Sequence, residues 1–184
     1  MSPEEYLRFV QTVEHKWEYV DGTAYLMSGG TPTHAQLGAE AIFALRGALT
    51  DRPECRTYNS DLAVMAGQRF YYPDATVVCG EIDAPNQAAP IKNPALIVEV
   101  LSPSTQRVDR GEKLNAYLAI PSIRVVMLVS STERLIECVR PDGSRSVHRP
   151  GDAPTVALPE FDIAIDIAAF YERVTLDSPN AGLE

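Results

Sequence analysis

The sequence predicts an α/β fold that contains at least one pair of parallel strands. An apolar strand-like run at 95–102 is followed by a helical pattern at about 105–119 and by a second apolar run at 123–130. This order is typical of a βαβ unit, in which a crossover helix joins two parallel strands. Pro121 is expected to end the crossover helix, because proline cannot continue the helical hydrogen-bond ladder.

The first two elements are predicted to be a helix and a β-hairpin. The segment Ser2-Pro3-Glu4-Glu5 predicts a helix over about 3–14, because it combines a serine N-cap, a proline in the first turn and a capping-box glutamate. The stretches WEYV and TAYLM flank Asp21-Gly22, a dipeptide whose positive φ angles suit a tight two-residue turn. The hairpin places Glu18 on a strand, three residues before the turn.

A long helix and further strands are predicted for the rest of the chain. Thr31 is the predicted N-cap of a helix whose apolar side chains keep helical spacing until it ends near Asp51. Residues 1–174 are expected to form one domain, and residues 175–184 a C-terminal tail. The other predicted elements are strands at 56–65 and 69–79, a hairpin around Pro141-Asp142-Gly143 and a short helix near 166–174.

The composition is that of an ordinary soluble globular protein. Of the 184 residues, 45% are hydrophobic and 22% are charged, and no apolar run approaches the roughly 20 residues that span a bilayer. The N-terminus lacks a basic region followed by an apolar one, so we expect no signal peptide, no membrane partner and a cytoplasmic location. Cys55, Cys79 and Cys138 form no CxxC pair and are expected to be small core residues without a disulfide framework.

The net charge of −9 opposes nonspecific attraction to nucleic acid. Lysine and arginine supply most of that affinity, because they neutralise phosphates. The relevant field is local, however, since a divalent cation in an acidic site or a basic face on an acidic body can still receive a phosphate. The charge therefore does not exclude a nucleic-acid substrate.

One carboxylate, that of Glu99, stands in the middle of the apolar run LIVEVL. Alternation along a strand places Ile97 and Leu101 on the same face as Glu99, and apolarity on both faces indicates a central, covered strand. An unpaired buried carboxylate costs several kcal/mol, a large share of the roughly 5–15 kcal/mol that stabilise a domain. Glu99 therefore requires a compensating partner.

Three other charged residues are placed where they can meet Glu99. Asp74 opens an apolar strand directly after Pro73, which marks the start or an edge of that strand. Asp109 and Lys113 lie four residues apart on the crossover helix, which packs back over the strand that precedes it. This placement allows two carboxylates and a lysine to converge.

A set of motifs extends from the predicted hairpin to the crossover helix. Its stretches are Glu18, Asp21-Gly22, His34, Tyr72-Pro73-Asp74, Val98-Glu99-Val100-Leu101-Ser102-Pro103-Ser104-Thr105, Asp109 and Lys113. With these motifs the sequence resembles bacterial endonucleases of the restriction-endonuclease-like, PD-(D/E)XK superfamily, in the branch marked by PD, EVLSPST, D, K and Y. The resemblance covers roughly residues 5 to 140 and implies a restriction-endonuclease-like core, with a mixed β-sheet flanked by helices.

The resemblance also implies a metal-dependent site and its residues. Asp74 and Glu99 are the implied catalytic ligands of a divalent cation, Mg²⁺ with Mn²⁺ as a substitute, because hard carboxylate oxygens suit these ions. Glu18 is implied as a third catalytic acid, and His34 as a residue that contacts the substrate or transfers a proton.

The catalytic lysine departs from the superfamily pattern. In that pattern the lysine follows the acidic residue by two positions on the same strand, and Leu101 occupies that position here. An aliphatic side chain can neither orient a water nor stabilise charge. Lys113, on the following helix, is therefore the implied catalytic lysine.

Structural roles compete with each of these assignments. Asp109 is expected to cap the crossover helix, with a bond to Lys113 as the alternative, and Tyr117 is expected to pack. Ser102 and Ser104 lack a GxSxG elbow, which argues against serine hydrolase chemistry. The other structural alternatives are a buried Glu99–Lys113 ion pair, a strand-start carboxylate at Asp74, an exposed hairpin glutamate at Glu18 and a surface or capping role for His34.

These observations favour Mg²⁺-dependent hydrolysis of DNA phosphodiester bonds by an endonuclease. The main alternative is a catalytically inactive relative that binds DNA or a protein partner, which the acidic charge and Leu101 favour. A third interpretation is a metal-dependent hydrolase of a small phosphoester. A homodimer fits the endonuclease interpretation, because two sites cut two strands most easily.

Overall fold

The computed structural model describes residues 1–84, 89–103 and 106–178. Ser104 and Thr105 of the EVLSPST motif and residues 179–184 of the predicted tail lie outside the described residues. The helical elements are α1 (Pro3–Phe9), α2 (Pro32–Ala48), α3 (Gln106–Val108), a π-helical segment (Asp109–Lys113), α4 (Leu114–Leu118) and α5 (Ile167–Phe170). The strands are β1 (Trp17–Val20), β2 (Thr23–Leu26), β3 (Cys55–Asn59), β4 (Val64–Ala66), β5 (Arg69–Tyr71), β6 (Ala75–Cys79), β7 (Leu96–Leu101), β8 (Val125–Ser130), β9 (Ile136–Val139), β10 (Arg145–His148), β11 (Thr155–Leu158) and β12 (Ile163–Asp166).

The main sheet has six strands in the order β10-β9-β8-β7-β6-β3. Strands β7 and β8 are parallel, with Glu99 opposite Leu128, and the other neighbouring pairs are antiparallel. The crossover between the parallel strands contains α3, the π-helical segment and α4. The predicted βαβ unit and the mixed sheet are therefore confirmed.

The two faces of the main sheet are covered by different helices. Val98 and Val100 of β7 pack in a cluster with Leu37 and Leu45 of α2, to which α5 and the β11–β12 hairpin also contribute. Alternate residues of the same strand face the second cluster, which contains residues of α4. Because each face is covered, β7 is buried along its whole length, as its continuous apolar pattern predicts.

A smaller sheet has the order β2-β1-β5-β4. The β1–β2 hairpin is the predicted one, and Asp21 and Gly22 have positive φ angles of 47° and 95° at its turn. The sheet packs on α1 through the rings of Tyr6, Tyr19 and Phe70. This sheet carries Glu18 towards the crossover helix.

Two predicted strands are each divided between the two sheets. The run 56–65 comprises β3 of the main sheet and β4 of the smaller one, and the run 69–79 comprises β5 and β6. Asn59 ends β3 because its side chain bonds Asp61 and forms a local turn. Pro73 separates β5 from β6 because proline has no backbone donor for a ladder.

Two predicted helices are shorter than expected, and one hairpin was missed. Helix α1 ends at Phe9, whose carbonyl oxygen accepts hydrogen bonds from the backbone nitrogen and the hydroxyl of Thr12. The hydroxyl thereby competes with the helical ladder. Helix α5 ends at Phe170, and β11 and β12 form an unpredicted hairpin before it.

The prediction for the cysteines was wrong at two of three positions. Cys55 and Cys79 form a disulfide between β3 and β6. They are directly opposite each other in the antiparallel register, which brings their Cα atoms to 4.0 Å. A separation of 24 residues carries no local signal for this pairing. Cys138 is free and buried, as expected.

Among the residues that the structure describes, no helix is both long and apolar enough to cross a membrane.

Candidate active site

A cleft of about 340 Å³ lies where the smaller sheet, α2 and the crossover meet the main sheet. Every site residue that the sequence predicts lines this cleft. The acidic and basic side chains that line it are Glu18, His34, Asp74, Glu99, Asp109, Lys113 and Asp177. The expected convergence of two carboxylates and a lysine is therefore confirmed.

Glu99 is only 4% exposed and has two partners on the crossover. The hydroxyl of Tyr117 donates a hydrogen bond of 2.6 Å to Glu99 Oε1. Lys113 Nζ lies 3.8 Å from the same oxygen. Tyr117 therefore does more than pack: its phenol fixes the carboxylate that the apolar strand buries.

Lys113 lies at the centre of three carboxylates. Its Nζ is 2.8 Å from Glu18 Oε1 and 3.6 Å from Asp109 Oδ1, in addition to the contact with Glu99. The ammonium also lies 5.6 Å from the centroid of the Tyr71 ring, within the range of a cation–π interaction. These contacts come from both sheets and from the crossover, so Lys113 joins all three.

The π-helical segment places both Asp109 and Lys113 in the cleft. Asp109 is 3% exposed and is the first residue of this segment, three residues after α3 begins at Gln106. The expectation that Asp109 caps the crossover helix was therefore wrong, and the alternative bond to Lys113 is observed. Such π segments are frequent at functional sites.

Asp74 precedes β6 and faces the N-terminus of α2. Its Oδ2 accepts a hydrogen bond of 2.7 Å from the backbone nitrogen of Val100, the residue that follows Glu99. His34 Nε2 lies 3.5 Å from the same oxygen. The start of β6 and the end of β7 are thereby tied together, which brings both carboxylates to one cleft.

His34 is held in the first turn of α2 by its neighbours. Thr31 is the N-cap, and its hydroxyl accepts a hydrogen bond of 3.1 Å from the backbone nitrogen of His34. A Cβ atom at Gly30 would lie 2.9 Å from His34 Nδ1 and 3.0 Å from its Cγ. Glycine at position 30 therefore permits the close approach of the imidazole ring to the preceding loop.

Burial and an excess of negative charge shift the pKa values in this cleft. Burial raises the pKa of Glu99 well above its ordinary value; the Lys113 ammonium opposes this shift, and the carboxylate of Asp74 adds to it. Burial also raises the pKa of Asp74, against the opposing effect of His34. Burial by itself lowers the pKa of Lys113, but Glu99, Glu18 and Asp109 outweigh it, and the net shift is upward.

The donor set of the cleft fits a divalent cation. Five carboxylates line the cleft with one lysine and one histidine, and the carboxyl groups of Asp74 and Glu99 have raised pKa values. Within the described ranges, no three His, Cys, Asp or Glu side chains form a group that could hold a metal ion alone. Mg²⁺ does not need such a cage, because it commonly binds one or two carboxylates together with waters and substrate phosphates.

The structure places Leu101 outside the lining of the cleft and Asp177 within it. Leu101, which stands in the superfamily position of the lysine, is 5% exposed and packs in the apolar cluster with Leu114 and Tyr117. Asp177, within the predicted tail, lines the cleft and accepts a hydrogen bond of 3.2 Å from the Thr31 hydroxyl. No sequence pattern links positions 31 and 177, which only the fold brings together.

The fold has a counterpart of known structure. A crystal structure described as "a putative nuclease belonging to DUF820" from Anabaena variabilis matches with a TM-score of 0.76 and 17% sequence identity. The match covers 95% of this chain and 99% of that one. The two chains share the same fold, which confirms the predicted α/β architecture with a mixed sheet.

Two proteins of Synechocystis sp. are similar in sequence. The protein slr1290 is 38% identical over 134 residues, which cover 72% of this chain and 70% of that protein. The protein sll1609 is 26% identical over 148 residues, or 79% and 83% of the two chains. The model of the Uma2 family, described as "Putative restriction endonuclease", matches residues 3–167. The chain therefore belongs to the Uma2 family, in agreement with its resemblance to the restriction-endonuclease-like superfamily.

Proposed function

We propose that this protein is an endonuclease that hydrolyses DNA phosphodiester bonds with Mg²⁺, for which Mn²⁺ substitutes. The observation that carries the proposal is the convergence of Asp74, Glu99 and Lys113 in one cleft. The family description and the name of the Anabaena variabilis protein support the same class of chemistry. The departure at Leu101 is compensated, because Lys113 reaches the carboxylate of Glu99 from the crossover.

Asp74 and Glu99 would hold the metal ion. A divalent cation bound there would neutralise negative charge on the phosphate and lower the pKa of a water molecule. The Tyr117 hydroxyl orients the Glu99 carboxylate, and the Val100 backbone nitrogen orients that of Asp74. Both carboxylates are therefore fixed before a substrate arrives, as electrostatic preorganisation requires.

Lys113 supplies a fixed positive charge beside the carboxylates. Its raised pKa keeps the ammonium group protonated at neutral pH. Lys113 Nζ donates a hydrogen bond to Glu18, and Asp109 lies 3.6 Å away, so a further hydrogen of the ammonium group can be donated to a phosphate oxygen or to the attacking water. His34 lines the same cleft beside Asp74, where its imidazole can contact the substrate.

The direct test is plasmid nicking with Mg²⁺ or Mn²⁺. We expect the wild type to cleave and Asp74→Asn, Glu99→Gln and Lys113→Met to lose activity by about 10²-fold or more, since each removes a charge that the transition state needs. Lys113→Arg keeps the charge and replaces Lys113→Met in the comparison if the methionine variant does not fold. Asp51→Asn and Lys92→Met are matched controls, because both residues are exposed and lie outside the cleft.

Thermal unfolding measures metal binding without any cleavage. A ligand that binds only the folded state stabilises it, by about 2.7 kcal/mol at 100 times its dissociation constant. We expect Mg²⁺ to raise the melting temperature of the wild type and of Lys92→Met, but not of Asp74→Asn.

Absence of cleavage by the wild type with either ion, or equal cleavage by all variants, would contradict the endonuclease proposal. DNA binding without cleavage would instead favour the inactive relative.

A further inference from the structure

A basic groove lies between α2 and the edge strand β3. It is about 820 Å³ in volume, and no aspartate or glutamate is among its lining residues. This lining contrasts with the net charge of −9 of the whole chain. The side chains that give the groove its character are Phe43, Arg46, Arg52, Arg56, Thr57 and Tyr58.

The basic groove adjoins a depression that opens into the candidate active site. A second depression contains His34 and Asp74 at one end, and both residues also line the active-site cleft. At its other end it contains Ile42 and Asn59, the immediate neighbours of Phe43 and Tyr58 in the basic groove. The second depression and the basic groove together form a track along α2, because β3 runs beside this helix after the turn that joins them.

We propose that one strand of the DNA substrate follows this track, and that Arg46 and Arg56 bind its phosphates. The inference rests on the proposed function, because it names the path of the same substrate. Arg46 lies 12 residues after His34 on α2, which corresponds to about 18 Å at 1.5 Å per residue. Along the axis of a B-form duplex each strand carries one phosphate charge per about 3.4 Å, so this distance corresponds to about five base pairs.

The charges of the basic groove are available to a ligand. Arg52 pairs with Asp162 at 2.9 Å, but Arg46 and Arg56 are exposed. Neither of these two arginines forms an ion pair with any residue in the described part of the chain. Two unpaired guanidinium groups on an acidic protein complement a phosphate backbone.

Aromatic rings in the basic groove complement bases. Phe43 is 78% exposed, although it belongs to the middle of α2, and Tyr58 is half-buried on β3. Stacking of a base on such a ring contributes about 1–3 kcal/mol and tolerates any base. Arginines beside exposed rings are typical of surfaces that hold a single strand.

A nucleic-acid strand fits the basic groove better than a second copy of the chain. The edge of β3 is unpaired within the described sheet and is a place where another strand can add. A twofold interface would place this surface against itself, however, and would bring the same arginines together. Like charges in contact disfavour that arrangement, whereas phosphates neutralise them.

The test compares two double variants with the same change in net charge. Arg46→Glu/Arg56→Glu reverses the charges of the basic groove. Arg8→Glu/Arg134→Glu reverses two other exposed arginines, which line neither the groove nor the active-site cleft. Binding of a fluorescent oligonucleotide, single-stranded or duplex, is measured by anisotropy in CaCl₂ and in EDTA.

We expect the groove variant to bind at least tenfold more weakly than the control variant. The slope of log K for binding against the logarithm of the salt concentration should become less steep by about 1.4–1.8, which is the contribution of two phosphate contacts. Arg46→Gln/Arg56→Gln should show a smaller loss in the same direction, and it serves where the charge reversal affects folding. Phe43→Ala should weaken binding at least fivefold, as the loss of one stacked base predicts.

Three outcomes would overturn this inference. They are equal binding by the groove and control variants, no DNA binding by the wild type, and a wild-type dimer that the groove variant converts to a monomer. The outcome for the endonuclease proposal is separate. If the groove variant alone loses binding while the wild type does not cleave, the groove is supported and the enzymatic proposal fails. If the wild type cleaves and the groove variant binds and cleaves like the control, the enzymatic proposal is supported and the groove proposal fails.

Discussion

At the scale of single residues, Glu99 is a buried carboxylate whose burial is only partly compensated. Its carboxylate is 4% exposed on a strand that is buried on both faces. One hydrogen bond from Tyr117 and the more distant Lys113 ammonium do not offset its burial, since the pKa of Glu99 is still raised. Residues that break a local rule in this way are concentrated at functional sites.

The raised pKa of Glu99 predicts a pH dependence of stability. Between the ordinary glutamate value and the raised one, the folded state holds a proton that the unfolded state has lost. The free energy of unfolding therefore decreases as the pH rises through this window. Glu99→Gln removes the ionisation, so we expect it to be more stable than the wild type by about 0.5–2 kcal/mol at about pH 8. The difference should shrink towards about pH 5, as measured by urea unfolding.

The matched control for this prediction is Glu133→Gln. The side chain of Glu133 is 59% exposed, so replacing it should leave the pH dependence of the wild type unchanged. A Glu99→Gln variant with the same pH dependence as the wild type would show that Glu99 is not the group that titrates.

The sequence is informative about charged residues and uninformative about their neutral partners. Glu99 stands out because glutamate is rarely buried, and its position on a strand predicts which face it occupies. The hydroxyl of Tyr117 does not stand out, because a tyrosine on an apolar helix face packs in most proteins. The motif also does not show which lysine replaces the one absent at Leu101. The position of Lys113 depends on its contact with Glu18, and that contact depends on how the two sheets pack.

At the scale of elements, hydrophobic periodicity predicts most of the fold but not the changes of sheet. The β1–β2 hairpin, α2 and the parallel β7–β8 pair follow from turn residues, an N-cap and apolar runs. Strand β3 reads CRTYN and β4 reads VMA, and neither pattern indicates which sheet the strand joins, so the sequence cannot show that the chain moves to another sheet between them. The π-helical segment differs from an α-helix only in its hydrogen-bond register, which the side-chain pattern leaves undetermined.

The disulfide between Cys55 and Cys79 leads to a prediction at this scale. It joins the edge strand β3 to β6 and closes a loop of 24 residues. A cross-link of this length restricts the unfolded chain and contributes about 2–4 kcal/mol. We expect Cys55→Ser/Cys79→Ser to lose about this amount in urea unfolding under oxidising conditions. In dithiothreitol the wild type should become as unstable as the variant.

The control for the disulfide is the third cysteine. Cys138 is buried and free, so Cys138→Ala should respond to dithiothreitol as the wild type does. If dithiothreitol leaves the unfolding free energy of the wild type unchanged, the two thiols do not form a disulfide that contributes to stability.

At the scale of the whole molecule, the candidate active site is a junction between two sheets. The smaller sheet contributes Glu18, the main sheet contributes Glu99, and the crossover contributes Lys113. A second link on the same side joins Arg69 of the smaller sheet to Asp21 at 2.6 Å and to Glu112 of the π-helical segment at 3.7 Å. The geometry of Lys113, the proposed catalytic lysine, therefore depends on how the sheets pack. In the superfamily pattern it would depend on one strand.

This architecture predicts that the Glu18–Lys113 pair is strongly coupled. Its side chains are 14% and 12% exposed, whereas those of Asp61 and Lys16, which also form a close pair, are 70% and 40% exposed. A double-mutant cycle with Glu18→Gln and Lys113→Met should give a coupling energy of about 1–3 kcal/mol in urea unfolding. The cycle with Asp61→Asn and Lys16→Met should give about 0.2–1 kcal/mol, because water screens an exposed pair. Equal coupling energies would mean that the buried pair does not hold the smaller sheet against the crossover, and Lys113 would then need another means of staying beside Glu99.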